Sequence, residues 1–353
     1  MQFGVQFFPD VRPQQKSGAA YFSDALALAE EADGLGFTHI RIVEHYFHHY
    51  GGYSPNPIVF LAAAAQRTRH ARLVTGAVLP AFNHPLKLAG EIGMLDAISG
   101  GRLDVGFARA FLPHEFRRFG RSPDESMARF REGVAQVDLL LTQENVSHKG
   151  RFHTIRQTTS LPRPTQLPRP KFYVAALNTP QSFIFAGEQG YSVMAIPLGG
   201  GKMRSLIDSY RKAWTDAGHP GNGEVMLAFH LYCAEDGDKA RDFASPFLNR
   251  YLASLVDAAG DWLDGRISQD YPGYDKVIAK LKQSNAAEQI QSGAAWIGSP
   301  GEIAGQITRC LDEFGAFEHA SLQVNFNTMP LAEAQRSMRL FGDTVMPQFA
   351  SAT

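Results

Sequence analysis

Four ionisable side chains fall within six residues at the end of a predicted buried strand. The strand covers residues 38–43, and Glu44, His45, His48 and His49 follow it. An imidazole can exchange a proton near neutral pH, and burying a carboxylate beside it costs free energy unless both groups have partners or a function. Because polar groups at the carboxyl ends of strands form the active sites of α/β proteins, this segment predicts acid–base chemistry.

Two other roles are compatible with these histidines. His45 could be an ordinary core histidine, although Glu44 beside it and the position at a strand end favour a function. The trio of His45, His48 and His49 could ligate a metal, but no carboxylate stands at a matching spacing. We therefore predict no metal site.

A second set of polar residues follows two later apolar segments. Arg109 ends one of them, and Asn178-Thr179-Pro180-Gln181-Ser182 opens a predicted helix after the other. Arg109 could belong to a structural ion pair, and Thr179 could be an ordinary helix cap. A helix N-terminus also binds phosphate through its free N–H groups and its dipole, so both roles can coexist. With His45, these residues suit an anionic ligand that has a phosphate end and a reactive apolar end.

Strands alternate with helices along nearly the whole chain, and eight segments have strand character: 2–8, 38–43, 71–79, 102–107, 171–176, 191–196, 225–233 and 320–326. This alternation predicts a TIM-like (β/α)8 barrel, in which the residues just past each strand meet at one face. No glycine fingerprint follows the first strand, which argues against a dinucleotide-binding Rossmann half. We predict one domain over residues 1–353, with a long insertion and lid at about 235–292 before the last strand.

Composition excludes several classes of partner. Lys and Arg number 34, Asp and Glu number 35, and the net charge is −1, so neither nucleic acid nor an anionic membrane is expected to bind. The two cysteines, Cys233 and Cys310, are far apart in apolar surroundings, which is typical of a protein in a reducing cytoplasm. No apolar segment approaches the roughly 20 residues that cross a bilayer, and the chain begins with a strand rather than a basic targeting segment.

Short motifs along the chain resemble one known family, the bacterial luciferase family of flavin-dependent monooxygenases. The motifs are Glu44-His45-Tyr46-Phe47, Leu79-Pro80, His84-Pro85, Glu91 with Leu95-Asp96, Ser99-Gly100-Gly101-Arg102, Val105-Gly106-Phe107-Ala108-Arg109, Phe116-Arg117-Arg118-Phe119-Gly120, Tyr173-Val174-Ala175-Ala176, Gly298-Ser299-Pro300 and residues 338–347. Each motif alone is weak. Their order and spacing cover nearly the whole length.

The resemblance implies a barrel that holds reduced FMN at its C-terminal face. In the family, a histidine directly after the strand-two glutamate supports formation and use of a flavin hydroperoxide, and His45 occupies that place, with Glu44 beside it as a second catalytic residue. An arginine after strand four binds the FMN phosphate; Arg109 matches it, and Arg129 resembles a second phosphate arginine. The other cofactor-binding residues that the resemblance implies are Thr75, Gly76, Ala108, Ala176, Asn178, Thr179, Gln181 and Ser182.

The chain also departs from luciferase itself. Leu177-Asn178 stands where the luciferase catalytic subunit has a Glu-Ser pair, and Ala108 replaces its reactive cysteine. These differences weaken the case for light emission but not for oxygen chemistry. The family often has a non-prolyl cis peptide at the end of strand three, and Thr75-Gly76 is the corresponding pair.

The resemblance implies a two-component monooxygenase. A separate NAD(P)H:flavin reductase would supply FMNH2, which would react with O2 and insert one oxygen atom into an apolar organic substrate. Two alternatives remain open: a deazaflavin-dependent hydride-transfer oxidoreductase of the same fold, and a flavin-binding protein without activity. The aromatic residues that could line the pocket are Phe7, Phe47, Phe82, Phe111, Tyr232 and Trp296.

Two further expectations concern the insertion and the surface. Residues 269–274, with their aromatic and glycine residues, could form a lid that keeps the flavin dry, and a plain surface loop is the alternative. Because relatives dimerise through helices beside the first strands, we expect a homodimer in which the Ala-rich segment 60–65 is the contact surface.

Overall fold

A ring of parallel strands forms the centre of the protein in the computed structural model, which describes residues 1–199, 201–263 and 268–349. The eight barrel strands are β1 (Gln2–Phe7), β2 (His39–Ile42), β3 (Arg72–Val78), β4 (Leu103–Phe107), β7 (Lys171–Ala176), β8 (Ser192–Ala195), β9 (Val225–Cys233) and β11 (His319–Gln323). Each pairs with the next, and β11 pairs with both β9 and β1, which closes the ring. The predicted TIM-like barrel is confirmed.

Three strands lie outside this ring. β5 (Val146–Lys149) and β6 (Thr154–Thr158) form an antiparallel hairpin. β10 (Ala295–Gly298) is parallel to β9 and pairs with its second half, from His230 to Cys233. The length of β9 allows this, because its first half is paired with β8 and β11.

Helices cover the outside of the barrel, and several begin at a proline, whose missing N–H costs nothing in the first turn. Their bounds are α1 (Gly18–Gly34), α2 (Pro57–Arg67), α3 (Pro85–Ile98), α4 (Pro113–Arg118), α5 (Ser126–Thr142), α6 (Pro180–Glu188), α7 (Lys202–Asp216), α8 (Gly237–Ala258), α9 (Tyr274–Gln283), α10 (Ala286–Gln291), α11 (Pro300–Phe314), α12 (Leu331–Thr344) and α13 (Met346–Phe349). None of the described helices is long and apolar enough to span a membrane.

The interior of the barrel is closed at its N-terminal end. Ion pairs fill the lowest layer: Arg72 contacts Asp104 at 2.6 Å, and Glu224 contacts both Lys171 at 2.7 Å and His319 at 3.1 Å. Above them is a small apolar core that consists of Val74, Ala77, Tyr173, Met194 and Met226. Since alternate strand residues point inward, the interior space that remains lies at the C-terminal ends of the strands.

The insertion before the last barrel strand contains α8, a short 3-10 turn (Gly260–Trp262), α9 and α10, and its residues 264–267 lie outside the described part of the chain. Tyr251 of α8 packs over the barrel, with its ring centroid 4.6 Å from that of His230 and 5.5 Å from that of Phe8. The insertion therefore covers part of the barrel mouth. That residues 1–353 form one domain stays a prediction.

The predicted dimer segment 60–65 in α2 contains both buried and exposed residues, and the homodimer stays a prediction. Phe60, Leu61, Ala64 and Ala65 are buried within their own chain. Ala63 of the segment is exposed, and so is Val59, which precedes the segment. Helical periodicity explains the difference, because successive residues of the segment point to different sides of the helix.

Candidate active site

His45 lies directly after β2 and forms a buried pair with Glu115 from α4. Its Nδ1 is 3.1 Å from Oε1 of Glu115, and the same oxygen accepts the backbone N–H of Tyr46 at 2.8 Å. Glu115 is fully buried, and His45 is 8% exposed. Because the carboxylate accepts a hydrogen bond, Nδ1 carries the proton of neutral His45 and Nε2 is the proton acceptor. No group among the described residues hydrogen bonds to this Nε2.

Aromatic rings and a glycine fix the position of the imidazole. The ring centroids of Phe8, Tyr50 and Phe111 lie 5.4, 5.6 and 5.9 Å from that of His45. Gly51 has a φ of 80°, and a Cβ at this position would lie 2.7 Å from atoms of the His45 side chain. A side chain at Gly51 would therefore displace the imidazole.

Glu44 points away from His45 and ties the loop after β2 to the loop after β3. Its carboxylate accepts hydrogen bonds from the Tyr46 hydroxyl at 2.6 Å, the Asn83 amide at 2.8 Å and the Leu79 backbone N–H at 3.2 Å. Burial raises the pKa of Glu44 to about 8, against the effect of these three donors. These contacts describe a residue that positions the loop, and a catalytic role for Glu44 stays a prediction.

Arg109, which follows β4, is covered by residues 268–274 of the insertion, a segment that we call the strap. The guanidinium donates to the backbone carbonyl of Asp270 at 3.0 Å and lies 4.9 Å from the ring centroid of Tyr271. The Tyr271 hydroxyl donates to the carbonyl of Ala110 at 2.7 Å. The predicted lid residues thus contact the predicted phosphate arginine directly.

The strap also occupies the N-terminus of α5. The Asp270 carboxylate accepts hydrogen bonds from the Ser126 hydroxyl at 3.1 Å and the Met127 backbone N–H at 2.8 Å. Asp124 in turn accepts from the Ser268 hydroxyl and the Gln269 backbone N–H. A carboxylate at a helix N-terminus lies where a phosphate would be favourable, because free N–H groups and the helix dipole attract anions there.

Arg129 lies in the first turns of α5, and it already has partners. It forms an ion pair with Glu125 at 2.8 Å, and its guanidinium stacks 4.0 Å from the ring centroid of Phe152 in the hairpin. It lies in the same helix as Ser126, whose hydroxyl donates a hydrogen bond to the strap residue Asp270. Its role as a second phosphate ligand stays a prediction.

The start of α6 has uncapped donors. The Thr179 side chain makes no cap hydrogen bond to its helix and instead lies 2.9 Å from the Ser182 hydroxyl. Ser182 is buried, Gln181 is exposed, and Asn178 is half-buried. With Pro180 in the first turn, the N–H of Gln181 is left for a ligand. Phosphate binding by Asn178, Thr179, Gln181 and Ser182 stays a prediction.

The cis peptide bond at the end of β3 joins Gly76 and Ala77, so the predicted pair, Thr75-Gly76, was wrong by one residue. Thr75 has a different role. Its hydroxyl donates to the carbonyl of Gly106 at 3.0 Å and accepts the Gly106 N–H at 2.9 Å, which joins β3 to β4 where their register shifts. A cofactor contact of the fully buried Thr75 side chain is therefore not supported.

The other two histidines of the opening segment meet Asp257 of α8. Their Nε2 atoms lie 3.2 Å (His48) and 3.8 Å (His49) from Oδ2 of Asp257. However, Nδ1 of His48 accepts the Tyr50 backbone N–H, so its Nε2 carries the proton, and Arg12 lies 3.4 Å from Nε2 of His49. Neither nitrogen offers a free lone pair to a cation. The geometry favours hydrogen bonding, and the absence of a metal stays a prediction.

Comparison with known proteins identifies the family. A family model described as luciferase-like monooxygenase matches residues 1–317. The chain belongs to this family. The oxygenase component of the flavin-dependent trigonelline monooxygenase of Acinetobacter baylyi is 33% identical over 260 residues, which are 72% of this chain and 71% of that protein.

Two solved structures extend the comparison of this luciferase-like monooxygenase. Monooxygenase RslO1 from Streptomyces bottropensis is 43% identical, covers 99% of this chain and 100% of its own, and superimposes with a TM-score of 0.89. The oxygenating constituent of 3,6-diketocamphane monooxygenase from Pseudomonas putida, solved with FMN, is 22% identical over 100% of this chain and 99% of its own, with a TM-score of 0.82. The predicted family and enzyme class are confirmed.

The mouth of this barrel fits a planar flavin. On one side, small residues lie at or just past the ends of three strands: Ala77 of β3 belongs to the apolar core, and Ala108 after β4 and Ala175 of β7 pack against it. Gly106 has no room for a side chain, since a Cβ there would lie 2.3 Å from the carbonyl oxygen of Thr75. Gly106 therefore allows close packing of β4 against β3 and Met194, and it is the small side chains of Ala108 and Ala175 that leave room for a flat ring. Ala176, also predicted as a cofactor contact, is 9% exposed beside this surface.

Two of the predicted pocket walls were wrong. Phe7 is fully buried on the helix side of β1, with its ring centroid 5.4 Å from that of Phe60 in α2. Trp296 is fully buried against Phe229, with centroids 3.9 Å apart. Alternation along a strand explains the first error, because neighbouring residues face opposite sides. Phe111, in contrast, does lie beside His45.

Glu115 is the residue of the site that sequence reasoning missed, and for Asp270 of the predicted lid it missed the contact with the N-terminus of α5. Glu115 is separated from His45 by 70 positions, so no local spacing connects them. One signal was available: Glu115 is a single acid between apolar residues, Leu112 and Phe116. An acid in such a segment is buried only with a partner.

Proposed function

We propose that this luciferase-like monooxygenase uses reduced FMN, supplied by a separate NAD(P)H:flavin reductase, to insert one atom of O2 into an organic substrate. The observation that carries the proposal is the buried pair of His45 and Glu115 at the barrel mouth. A histidine held in one tautomer by a buried carboxylate can exchange protons through Nε2 near neutral pH. A protein that only stores flavin needs no such pair.

Arg109 and the start of α6 are proposed to bind the phosphate end of FMN. Arg109 keeps donors besides the one bound to Asp270, and Gln181 offers an uncapped backbone N–H beside the hydroxyls of Thr179 and Ser182. Arg129 and Asn178 are proposed as outer contacts. The side of the barrel mouth that carries small residues, among them Ala108, would support the flavin ring. Bound reduced FMN supplies the electrons that O2 accepts.

The strap is proposed to keep water away from the reacting groups. Its rings pack on Trp262, with Tyr271 at 5.2 Å and Tyr274 at 5.9 Å between centroids. All three side chains are at most 5% exposed. A closed aromatic cover strengthens electrostatic interactions beneath it and limits side reactions with water.

Glu44 is proposed to act on His45 indirectly. Its hydrogen bonds to Tyr46, Asn83 and Leu79 hold the loop whose backbone also contacts Glu115 through Tyr46. Loss of these bonds would shift the backbone on either side of His45. Glu44 is therefore a positioning residue in this proposal.

The partners of the enzyme follow from the same proposal. The printed name of the Acinetobacter relative describes an oxygenase component, which supports a separate reductase for this chain. We also propose a cytoplasmic homodimer that forms through the exposed apolar residues of α2 and α3. These residues are Val59, Met94 and Ile98, which are 68%, 57% and 38% exposed.

The test is anaerobic titration of the purified protein with photoreduced FMN, followed by rapid mixing with oxygenated buffer. We expect tight binding of reduced FMN and a transient absorbance that matches neither oxidised nor reduced FMN. The transient should be lost in His45→Asn. Reoxidation at the rate of free reduced FMN, with or without a candidate substrate, would contradict the proposal.

His49→Asn is the matched control for this test. His49 belongs to the same loop and has a similar polar environment, but it contacts Asp257 and Arg12 rather than Glu115. We expect His49→Asn to keep the transient. Equal loss in both variants would mean that the loop, and not the His45 imidazole, is responsible.

A further inference from the structure

Arg41 lies inside the barrel, on the inward face of β2, with few partners. Its guanidinium donates to the Gln6 side-chain oxygen at 2.7 Å and to the carbonyl oxygen of Gly76 at 3.2 Å. Its Nε is buried and has no partner among the described residues. The Nε packs directly against Gly76, since a Cβ at that glycine would lie 2.1 Å from it. The Arg41 residue as a whole is nevertheless half-buried and not fully buried. Arg41 therefore forms part of the wall of the barrel cavity.

No acidic side chain of the described residues forms an ion pair with Arg41. The other inward arginine, Arg72, pairs with Asp104 at 2.6 Å. Arg102 and Arg163 also lack carboxylates, but they donate to the last carbonyls of α2 and α5. Helix C-termini favour a cation through the helix dipole. Arg41 has neither kind of compensation.

The charge of Arg41 persists at neutral pH. Burial lowers its pKa to about 10, which leaves the guanidinium protonated. Tyr251 is the ionisable group that acts on it electrostatically, and burial raises the pKa of this phenol, so Tyr251 is neutral. A buried charge without a counter-ion is among the most unfavourable groups in a protein interior.

Polar side chains continue the row that Arg41 begins. By strand register, Arg41 lies beside Gln6, Gln6 beside Gln323, and Gln323 beside His230. Gln323 is 1% exposed, and its amide nitrogen has no hydrogen-bond partner among the described residues. Nε2 of His230 is also buried and has no partner among them. The Gln323 amide nitrogen is a donor, and an unsatisfied buried donor costs free energy, so together with Arg41 it favours a ligand that presents acceptors.

We propose that Arg41, supported by Gln6 and Gln323, is an anion-binding residue that neutralises a negative charge brought into the barrel mouth during turnover. The identity of the ligands rests on the proposed function. Two ligands carry such a charge: the ring of reduced FMN in its deprotonated form, and a substrate with a carboxylate or phenolate. Both present delocalised charge and acceptor atoms, which a guanidinium recognises.

The first arm of the test measures the midpoint potential of bound FMN. Arg41→Met keeps the bulk of the side chain and removes its charge, whereas Arg41→Lys keeps the charge. If Arg41 faces the reduced ring, Arg41→Met weakens binding of reduced FMN about tenfold relative to oxidised FMN. We take this value because a nearby opposite charge changes such an equilibrium by at least about tenfold. For a two-electron couple, a tenfold change is a decrease of about 30 mV. Arg41→Lys should recover most of it.

The second arm uses benzoate as a carboxylate probe. Benzoate is titrated into the FMN-loaded protein, and binding is followed by the absorbance of the flavin. If the anion belongs to the substrate, Arg41→Met raises the Kd of benzoate about tenfold, while the midpoint potential keeps its wild-type value. An unchanged potential together with absent or unchanged benzoate binding overturns the proposal.

A second variant covers the case in which Arg41→Met does not fold. Gln323→Met removes a buried amide without a partner, so we expect its melting temperature to equal or exceed that of wild type, while binding of the same anion weakens severalfold. If the wild type binds neither form of FMN, the proposed function has failed. Benzoate titration of the protein without FMN, followed by tryptophan fluorescence, then still tests the anion site.

Discussion

Replacement of Glu115 by Gln tests whether a buried carboxylate controls His45. Glu115→Gln has nearly the same volume, and its amide oxygen can still accept the N–H of Tyr46. Because one oxygen, Oε1, makes both contacts, an amide oxygen in its place also keeps the hydrogen bond from Nδ1 of His45, and only the negative charge is lost. Nε2 remains the acceptor, but the imidazolium that forms when it takes up a proton no longer has a counter-charge.

The size of the effect follows from the burial of the pair. Glu115 is fully buried, so water cannot replace the lost charge. A hydrogen bond to a charged group contributes roughly 1.5 to 3 kcal/mol, which corresponds to roughly 10- to 150-fold in rate. We expect this decrease in the rate constant for the reaction of bound reduced FMN with O2, measured by stopped flow from pH 6 to 9.

A double-mutant cycle makes the experiment decisive. Because His45 and Glu115 act as one unit, the double variant with His45→Asn should be as slow as the slower single variant. Glu224→Gln is the matched control, since Glu224 also pairs with a histidine, His319, at 3.1 Å, but at the N-terminal end of the barrel. Effects that multiply, or a wild-type rate in Glu115→Gln, would refute the reasoning.

Three further predictions use other parts of the structure. Asp270→Ala frees the N-terminus of α5 and should lower the Kd of FMN by up to about tenfold, measured by fluorescence titration; weaker binding would contradict competition with phosphate. Burial raises the pKa of Asp10 to about 8, so its contribution to stability is lost as pH rises above about 4 and through 8. The free energy of unfolding of Asp10→Asn, measured in urea, should therefore rise relative to that of wild type between pH 5.5 and 7.5, by at most about 1.4 kcal/mol per pH unit. A difference between the two proteins that does not change with pH would refute this prediction. Val59→Asp should give a monomer by light scattering, and an unchanged mass would exclude this dimer surface.

The barrel could be predicted because each strand is an apolar segment followed by a distinct helix start. Pro57, Pro85 and Pro180 mark three of these starts, and all three lie in the first turn of a helix in the structure. The short segment 294–298, which contains β10, was set apart from the neighbouring helices but not counted among the eight strands, since four residues contain too few alternations. Its pairing with β9 depends on the length of β9, which a local pattern does not reveal.

The site was predictable only where it follows a strand end. His45, Arg109 and the start of α6 could be identified because chain order places them just past β2, β4 and β7. The cis peptide bond was predicted one residue too early. Thr75-Gly76 and Gly76-Ala77 are both plausible pairs in the sequence, and only the register of β3 with β4 distinguishes them. The pairing of His45 with Glu115 required tertiary structure.

The strap connects cofactor binding with the exclusion of water. One segment contacts Arg109 through a backbone carbonyl and α5 through the Asp270 carboxylate, so it touches both the proposed phosphate arginine and the N-terminus of the helix that carries Arg129. A phosphate that takes the place of the carboxylate removes one anchor of the strap, while the Tyr271 hydroxyl keeps another on Ala110. The strap can therefore remain over Arg109 while its acidic end is released. In such an arrangement the cofactor phosphate and the closed state do not exclude each other.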